Sequence, residues 1–185
     1  VFMGQGQEDA QYIEQALRDR FAKFGLELHS EKTRTISFGR YERENAQRQQ
    51  RRANTFDFLG FAHFCGTSRK GKFIVGRQTS RKKFRQKCQE MNDWLRKIRN
   101  HTKAKDWWPT LAAKLRGHYQ YYGVSGKMRS LNRFYLMTVR LTRKWLNRRS
   151  QRNRFHWKGF ISYLKHYPLP RPRIAHNFYT LSPVT

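Results

Sequence analysis

Apolar and polar positions first fall into a helical period in residues 8–25. Tyr12 or Ile13, Ala16, Leu17, Phe21 and Phe24 recur three and four apart, the spacing that lines one face of a helix. Acids open this stretch, bases close it, and Gly25 is a natural stop. "LELH" and "RTISF", either side of a "SEKT" turn, alternate in a period of two and predict strands of a half-buried sheet. Val1–Met3, ahead of a Gly-rich turn, reads as the end of another strand. Residues 39–54 are polar and predict a loop. Alternation returns in "TFDFLGFAHFCG" (residues 55–66); with "FIV" (residues 73–75) it predicts a hairpin whose tip, "TSRKGK", is basic.

From about Ser80 the period changes. Phe84, Cys88, Met91, Leu95 and Ile98 form one apolar helical stripe. A second helix is predicted over residues 107–124, with Pro109 near its start and Gly123 at its end. A third, long one covers residues 127–151. "PLPRPRI" (residues 168–174) is extended by its prolines. The pattern is α+β: a helix with antiparallel strands, then a bundle of three helices, with no internal repeat. It divides the chain at 1–79, 80–160 and an extended, basic, Pro-containing tail at 161–185.

Charge changes the picture. Lys and Arg number 40 against 12 Asp and Glu, for a net +28. Residues 1–57 are nearly balanced, with ten bases and nine acids, whereas residues 58–185 carry thirty bases and three acids. No acid follows Asp106. Unopposed charge repels itself, and nucleic-acid phosphate is the usual counter-charge. An anionic membrane would favour a short basic amphipathic helix or a polybasic tail instead. Aromatic residues make up 15% of the chain, enough for a core and too many for a disordered tail. Cys65 and Cys88 give no disulfide framework and suit a reducing compartment. With neither an apolar run of spanning length nor a secretory signal read in this sequence, a cytoplasmic protein is expected.

Candidate contacts follow. Arg133, Arg140, Lys144 and Arg148 share one face of the third helix. With no acid nearby for i,i+4 pairing, that face is expected to track phosphates rather than merely to be solvated. Arg148, Arg149, Arg152 and Arg154 crowd into seven residues; a disordered basic linker is the alternative, but "FHWKGF" directly after argues for order. Arg69, Lys70 and Lys72 at the hairpin tip, Lys114 and Arg116 on the second helix, and Lys127 after its glycine turn complete the RNA-binding set. Tyr119, Tyr121 and Tyr122 cannot all face one way; Tyr122 is expected in the core, and an exposed tyrosine could stack on a base. His63, Cys65, Cys88 and His101 fit no zinc spacing, so no metal site is expected. There is no GxSxG, no Gly-rich phosphate loop and no strand-borne Asp pair for two-metal chemistry.

Four collinear stretches, "RFAKFGLELHSEKTRTISFGR", "FDFLGFAHFCGTSRKGKF", "WWPTLAAKLRGHYQYYGVSGKMRSLNRFY" and "WLNRRSQRNRFHW", resemble the reverse transcriptase/maturase encoded by bacterial group II introns. The resemblance runs from about Val1 to Ile174. It implies that residues 1–79 are the C-terminal part of a polymerase palm and residues 80–160 the thumb, or maturase X domain. It implies that Phe58, Leu59, Gly60 and Phe61 resemble the primer grip, and that Lys32 is a proton donor near the incoming triphosphate. The catalytic aspartates and their magnesium would lie before Val1, so no cofactor and no catalysis by this chain alone are expected. Implied partners are structured intron RNA, an RNA–DNA duplex and the remaining N-terminal portion or another chain; implied roles are splicing and retrotransposition. One half of a split RNA-directed DNA polymerase, with the aspartates supplied in trans, and a basic RNA-packing protein are the alternative readings.

Overall fold

In a computed structural model of the chain, residues 4, 6–30, 33–68, 70–101, 103–149 and 156–177 are described. Among them lie six helices and a three-stranded antiparallel sheet, a mixed α+β architecture. The chain divides into two compact units, residues 1–54 and 55–185.

The first unit opens with α1 (Gln7–Ala22). It ends as its sequence predicts: the Leu26 N–H donates to the Phe21 carbonyl (2.9 Å) and the Gly25 N–H to that of Ala22 (3.1 Å), with Gly25 at φ 66°. This is the Schellman closure, which satisfies two orphan carbonyls. Ile13, Leu17 and Phe21 are only half-buried, and Tyr12, Phe24 and Leu26 are exposed. The strands expected over residues 26–38 are not formed among the described residues of that stretch. Alternation makes a strand only where a neighbour takes its N–H and C=O groups, and the sheet of this protein is built elsewhere. The loop expected over residues 39–54 contains α2 (Glu42–Arg48). Its acids lie in the first turn and Arg48 in the last, in accord with the helix dipole. Glu42, 2% exposed, anchors it. Arg51 donates to both carboxylate oxygens (2.6 and 3.3 Å) and the Asn54 N–H to one (2.9 Å). The Arg51 hydrogen bond pulls the Glu42 carboxyl down to about 2.

The second unit begins with a meander of β1 (Thr55–Phe58), β2 (Phe61–Thr67) and β3 (Phe73–Thr79), paired in sequence order. The aromatic run read as one strand is therefore two. Phe58 pairs with Phe61 across a two-residue turn in which Leu59 (φ 48°) and Gly60 (φ 80°) are both left-handed. Such a turn matches the twist of a hairpin. The basic tip lies between β2 and β3 as expected, and β3 runs four residues beyond "FIV".

Four helices follow: α3 (Arg81–Ile98), α4 (Ala104–Tyr122), α5 (Met128–Asn147) and α6 (Trp157–His166). On α3, Met91 and Leu95 are buried, and Phe84, Cys88 and Ile98 pack against them, as the stripe predicts. Trp107, Leu111, Leu115, Tyr119 and Tyr122 of α4 meet Leu131, Phe134, Tyr135, Val139 and Trp145 of α5. Helix α4 starts three residues earlier than predicted, so Pro109 lies inside it, where its missing N–H forfeits one backbone bond. Helix α6 was not foreseen. It takes the first six residues of the expected tail and buries Phe160 against the bundle.

The stretch after α6 is docked on the bundle. Leu169 is buried and the Tyr119 hydroxyl donates to the Pro170 carbonyl (3.1 Å). The Ala175 and His176 N–H groups both donate to the Gly123 carbonyl (2.6 and 2.9 Å). The Ser125 N–H donates to the His176 carbonyl (3.0 Å), and Val124 and His176 form a parallel bridge. Gly123 makes this approach possible. A Cβ there would lie 2.1 Å from the Tyr119 carbonyl oxygen and 2.9 Å from that of Arg173. Gly123→Ala should therefore destabilise the second unit by about 3 kcal/mol, the upper end of the usual range for a single substitution. Urea unfolding followed by tryptophan fluorescence measures it, and an unchanged midpoint would mean the strap yields freely.

Candidate nucleic-acid interface

The second unit carries thirty Lys and Arg against four Asp and Glu. Between its described residues two ion pairs form, Lys87–Glu90 (2.8 Å) and Arg96–Asp93 (3.6 Å). Aromatic faces take more of the cations. Arg99, Lys144 and Arg148 all approach the Trp145 ring (4.8, 4.9 and 5.4 Å). Lys114 lies over Trp94, Arg133 over Phe84 and Arg171 over Tyr135 (5.1, 5.4 and 5.2 Å). Each such contact is worth about 0.5–1 kcal/mol at an exposed site and leaves the cation's outer side open to an anion.

Arg133, Arg140, Lys144, Arg148 and Arg149 are all exposed on α5 and the turn after it. Leu136 (51%) and Met137 (37%) lie exposed between Arg133 and Arg140, so the face is basic with an apolar centre. Lys70 and Lys72 are exposed at the β2–β3 tip, and Arg116 is exposed on α4. Lys127 is placed differently: it is 6% exposed, at the N-cap of α5. Lys32, Arg69, Arg152 and Arg154 lie outside the described residues.

A groove of about 600 Å³ opens beside the β1–β2 turn. Met91, His118, Tyr122 and Phe134 line it from the core, and Leu59 and Gly60 close one end. Lys83 and Lys87 stand on the α3 side, Lys114 and Tyr121 on the α4 side, with Glu90 as its carboxylate. The turn is fixed from two sides. The Tyr121 hydroxyl donates to the Leu59 carbonyl (2.9 Å) and the Ser80 N–H to that of Gly60 (3.0 Å). The Ser80 hydroxyl also donates to Asp57 (2.6 Å). Tyr121 stays 53% exposed while its ring lies nearly parallel to Phe61. Tyr122 is buried, as expected, with Tyr119.

Sequence reasoning missed Lys83, Lys87 and His118. The signal for the lysines was there: α3 opens Arg-Lys-Lys-Phe-Arg with no acid in its first turn. Cations at that end oppose the helix dipole by about 0.3–1 kcal/mol each, a local conflict of the sort that marks a functional surface. His118 stacks on Phe134 at 3.6 Å, and burial pushes its imidazole down to about 4. It is thus a neutral wall of the groove at physiological pH.

No family model, curated protein or solved structure matches the chain. No helix among the described residues is long and apolar enough to cross a membrane. Nor do three His, Cys, Asp or Glu side chains gather among them where they could hold a metal ion.

Because the folded value of His118 lies below its ordinary 6.5, its contribution is complete above about pH 6.5 and is lost as the pH falls toward 4. Thermal melts of His118→Phe should be flatter across that window, leaving the smaller dependence from His63, which burial also lowers. An unchanged slope would assign the acid sensitivity elsewhere.

Proposed function

We propose that this chain is an RNA-binding portion of a reverse transcriptase/maturase of the group II intron type, with residues 1–79 its palm segment and the helical bundle its thumb. The observation that carries the reading is the groove of the second unit. An aromatic and apolar wall, lysines on two sides and a fixed turn at Phe58–Phe61 lie close to the exposed α5 face, which has no carboxylate. The cations of α5 and the hairpin tip neutralise backbone phosphates and release counterions. Tyr121, exposed yet tethered through its hydroxyl, offers a base a stacking surface with little ordering left to do. The Leu59–Gly60 turn stands where a strand end could be held. RNA shape, rather than base-edge readout, supplies selectivity for structured targets such as an intron or an RNA–DNA duplex. On this proposal the chain's part is binding, and no chemical step is assigned to it. Its action is to bind and hold RNA folds that splice or prime.

Binding to a structured intron RNA should weaken steeply with salt. Replacing Arg133, Arg140, Lys144 and Arg148 with Gln should reduce the slope of log K against log salt by about 2.8–3.6, at roughly 0.7–0.9 for each of four phosphates no longer neutralised. Tyr121→Ala should lower affinity by about 1–3 kcal/mol with the slope unchanged. A flat salt response in the parent chain overturns the proposal. Equal losses by the quadruple variant on intron and unrelated RNAs favour a general packing protein, whereas loss of intron preference favours the maturase reading.

A further inference from the structure

The groove beside the β1–β2 turn holds more than a surface for stacking. At about 600 Å³ it lies in the range of small-molecule sites, roughly 300–1,000 Å³. Two buried side chains of α4 line it with unused polar groups. His118 is 8% exposed and Tyr122 4%, and neither the imidazole nor the hydroxyl has a hydrogen-bond partner among the described residues. Both rings are held in place: His118 stacks on Phe134 and lies 4.7 Å from the Tyr122 ring. Neither polar group is sealed in the core, so each reaches the groove that its residue lines. A ligand that displaces water from them must replace its hydrogen bonds. Gly117 lies in the same wall. It sits inside α4, where glycine is the poorest helix former after proline, and a Cβ there would meet nothing within 4 Å. The groove is thus kept open at a cost to the helix. Its rim is cationic, with Lys83, Lys87 and Lys114, while Glu90 is already engaged by Lys87 (2.8 Å) and Gln86 (2.9 Å). The Lys83 stem and the Tyr122 hydroxyl meet at Gly60, 3.8 and 3.3 Å from where a Cβ would lie, so cation, hydroxyl and turn close one end together. An acyl chain would leave the two α4 groups unpaired, and a bare phosphate would leave the apolar wall unused. A nucleotide answers all three parts: a flat base, hydrogen-bonding atoms along the base edge, and a phosphate for the lysines.

We infer that the groove takes a single nucleotide, with the base inserted against His118 and Tyr122 and the phosphate held by the lysines of the rim. This deepens the RNA-binding proposal and rests on its reading of the groove. The neutral imidazole carries one donor and one acceptor, and the hydroxyl serves as either, so each of the four bases can be received. Tyr121, whose ring lies 4.7 Å from that of Tyr122, stands at the mouth, where the next base of a strand would stack. The nucleotide can come free from solution or unpaired from an RNA strand, extruded from its stack.

The test uses the full chain and measures binding of AMP, GMP, CMP and UMP by equilibrium dialysis, with ribose 5-phosphate as the ligand that lacks a base. The monophosphates should bind about tenfold tighter than ribose 5-phosphate, the weight of one base contact. Gly117→Leu, which puts a side chain into the groove, should abolish that preference. Gly117→Ala should melt at or above the parent, because the helix gains where nothing is crowded. His118→Phe, which keeps an aromatic ring but removes both nitrogens, should weaken the preference too and replaces Gly117→Leu if the latter unfolds. A second arm compares an RNA hairpin carrying one bulged nucleotide with its fully paired counterpart. The bulged hairpin should bind the parent more tightly and lose that advantage with Gly117→Leu. Mononucleotide binding identifies the free nucleotide as a sufficient ligand, and a bulge advantage alone identifies the strand as its source. Neither one overturns the inference, as does a preference that both groove variants leave unchanged. If the inference fails while paired RNA still binds with a steep salt dependence, the RNA-binding proposal stands without it. A flat salt response with mononucleotide binding intact removes that proposal alone.

Discussion

Mutual repulsion among the cations of the second unit is the constraint that everything else must satisfy. Thirty bases and four acids share 131 residues, and ordinary surface pairing cannot dissipate such an imbalance. The molecule's answer is aromatic. Trp145 is buried in the bundle, yet three cations gather about its ring, and Trp94, Phe84 and Tyr135 each receive one more. The same rings that build the core thus position the charges on its surface. A ring face leaves the cation's hydrogen-bond donors free, whereas a carboxylate would occupy them. Charge arranged in this way is held in place without being neutralised.

The β1–β2 turn depends on the same economy. Leu59 adopts a backbone conformation that side chains rarely take, and it persists because helices on both sides hold its carbonyl and that of its neighbour. Tyr121 and Ser80 are those holders. One side chain, Tyr121, therefore serves the fold through its hydroxyl and presents its ring outward. The groove is rigid where the sheet meets the bundle, since displacing the turn would break hydrogen bonds on α4 and at the head of α3 together.

Much of this was legible in the residues. The apolar stripe of α3, the stop at Gly25, the basic hairpin tip and the burial of Tyr122 all follow from local period and turn chemistry. What escaped reading depends on partners distant in sequence. The alternation of residues 26–38 looks like a sheet, but alternation cannot name the strand that would pair with it. Helix α2 hid in a polar stretch because its anchor is Glu42, a charged residue buried by Arg51 and Asn54. Lys127 looked like one more surface lysine beside a glycine turn. Only its burial, at 6% exposed, distinguishes it from Lys114 or Lys144. Of the basic residues singled out in advance, those on α5 proved exposed on one face because helical spacing alone decides that.

The strap at Gly123 has a consequence for how the molecule is made. Tyr119 and Gly123 sit at the end of α4, and the groups that complete them arrive 51 residues or more later in the chain. A ribosome therefore releases α3, α4 and α5 before the segment that seals them exists. During that interval the half-built bundle carries most of its positive charge with an open seam, close to the most abundant polyanion in the cell, the ribosome's own RNA. Closure is a non-local event, and the order of synthesis exposes the nascent bundle to nucleic acid before its seam is sealed.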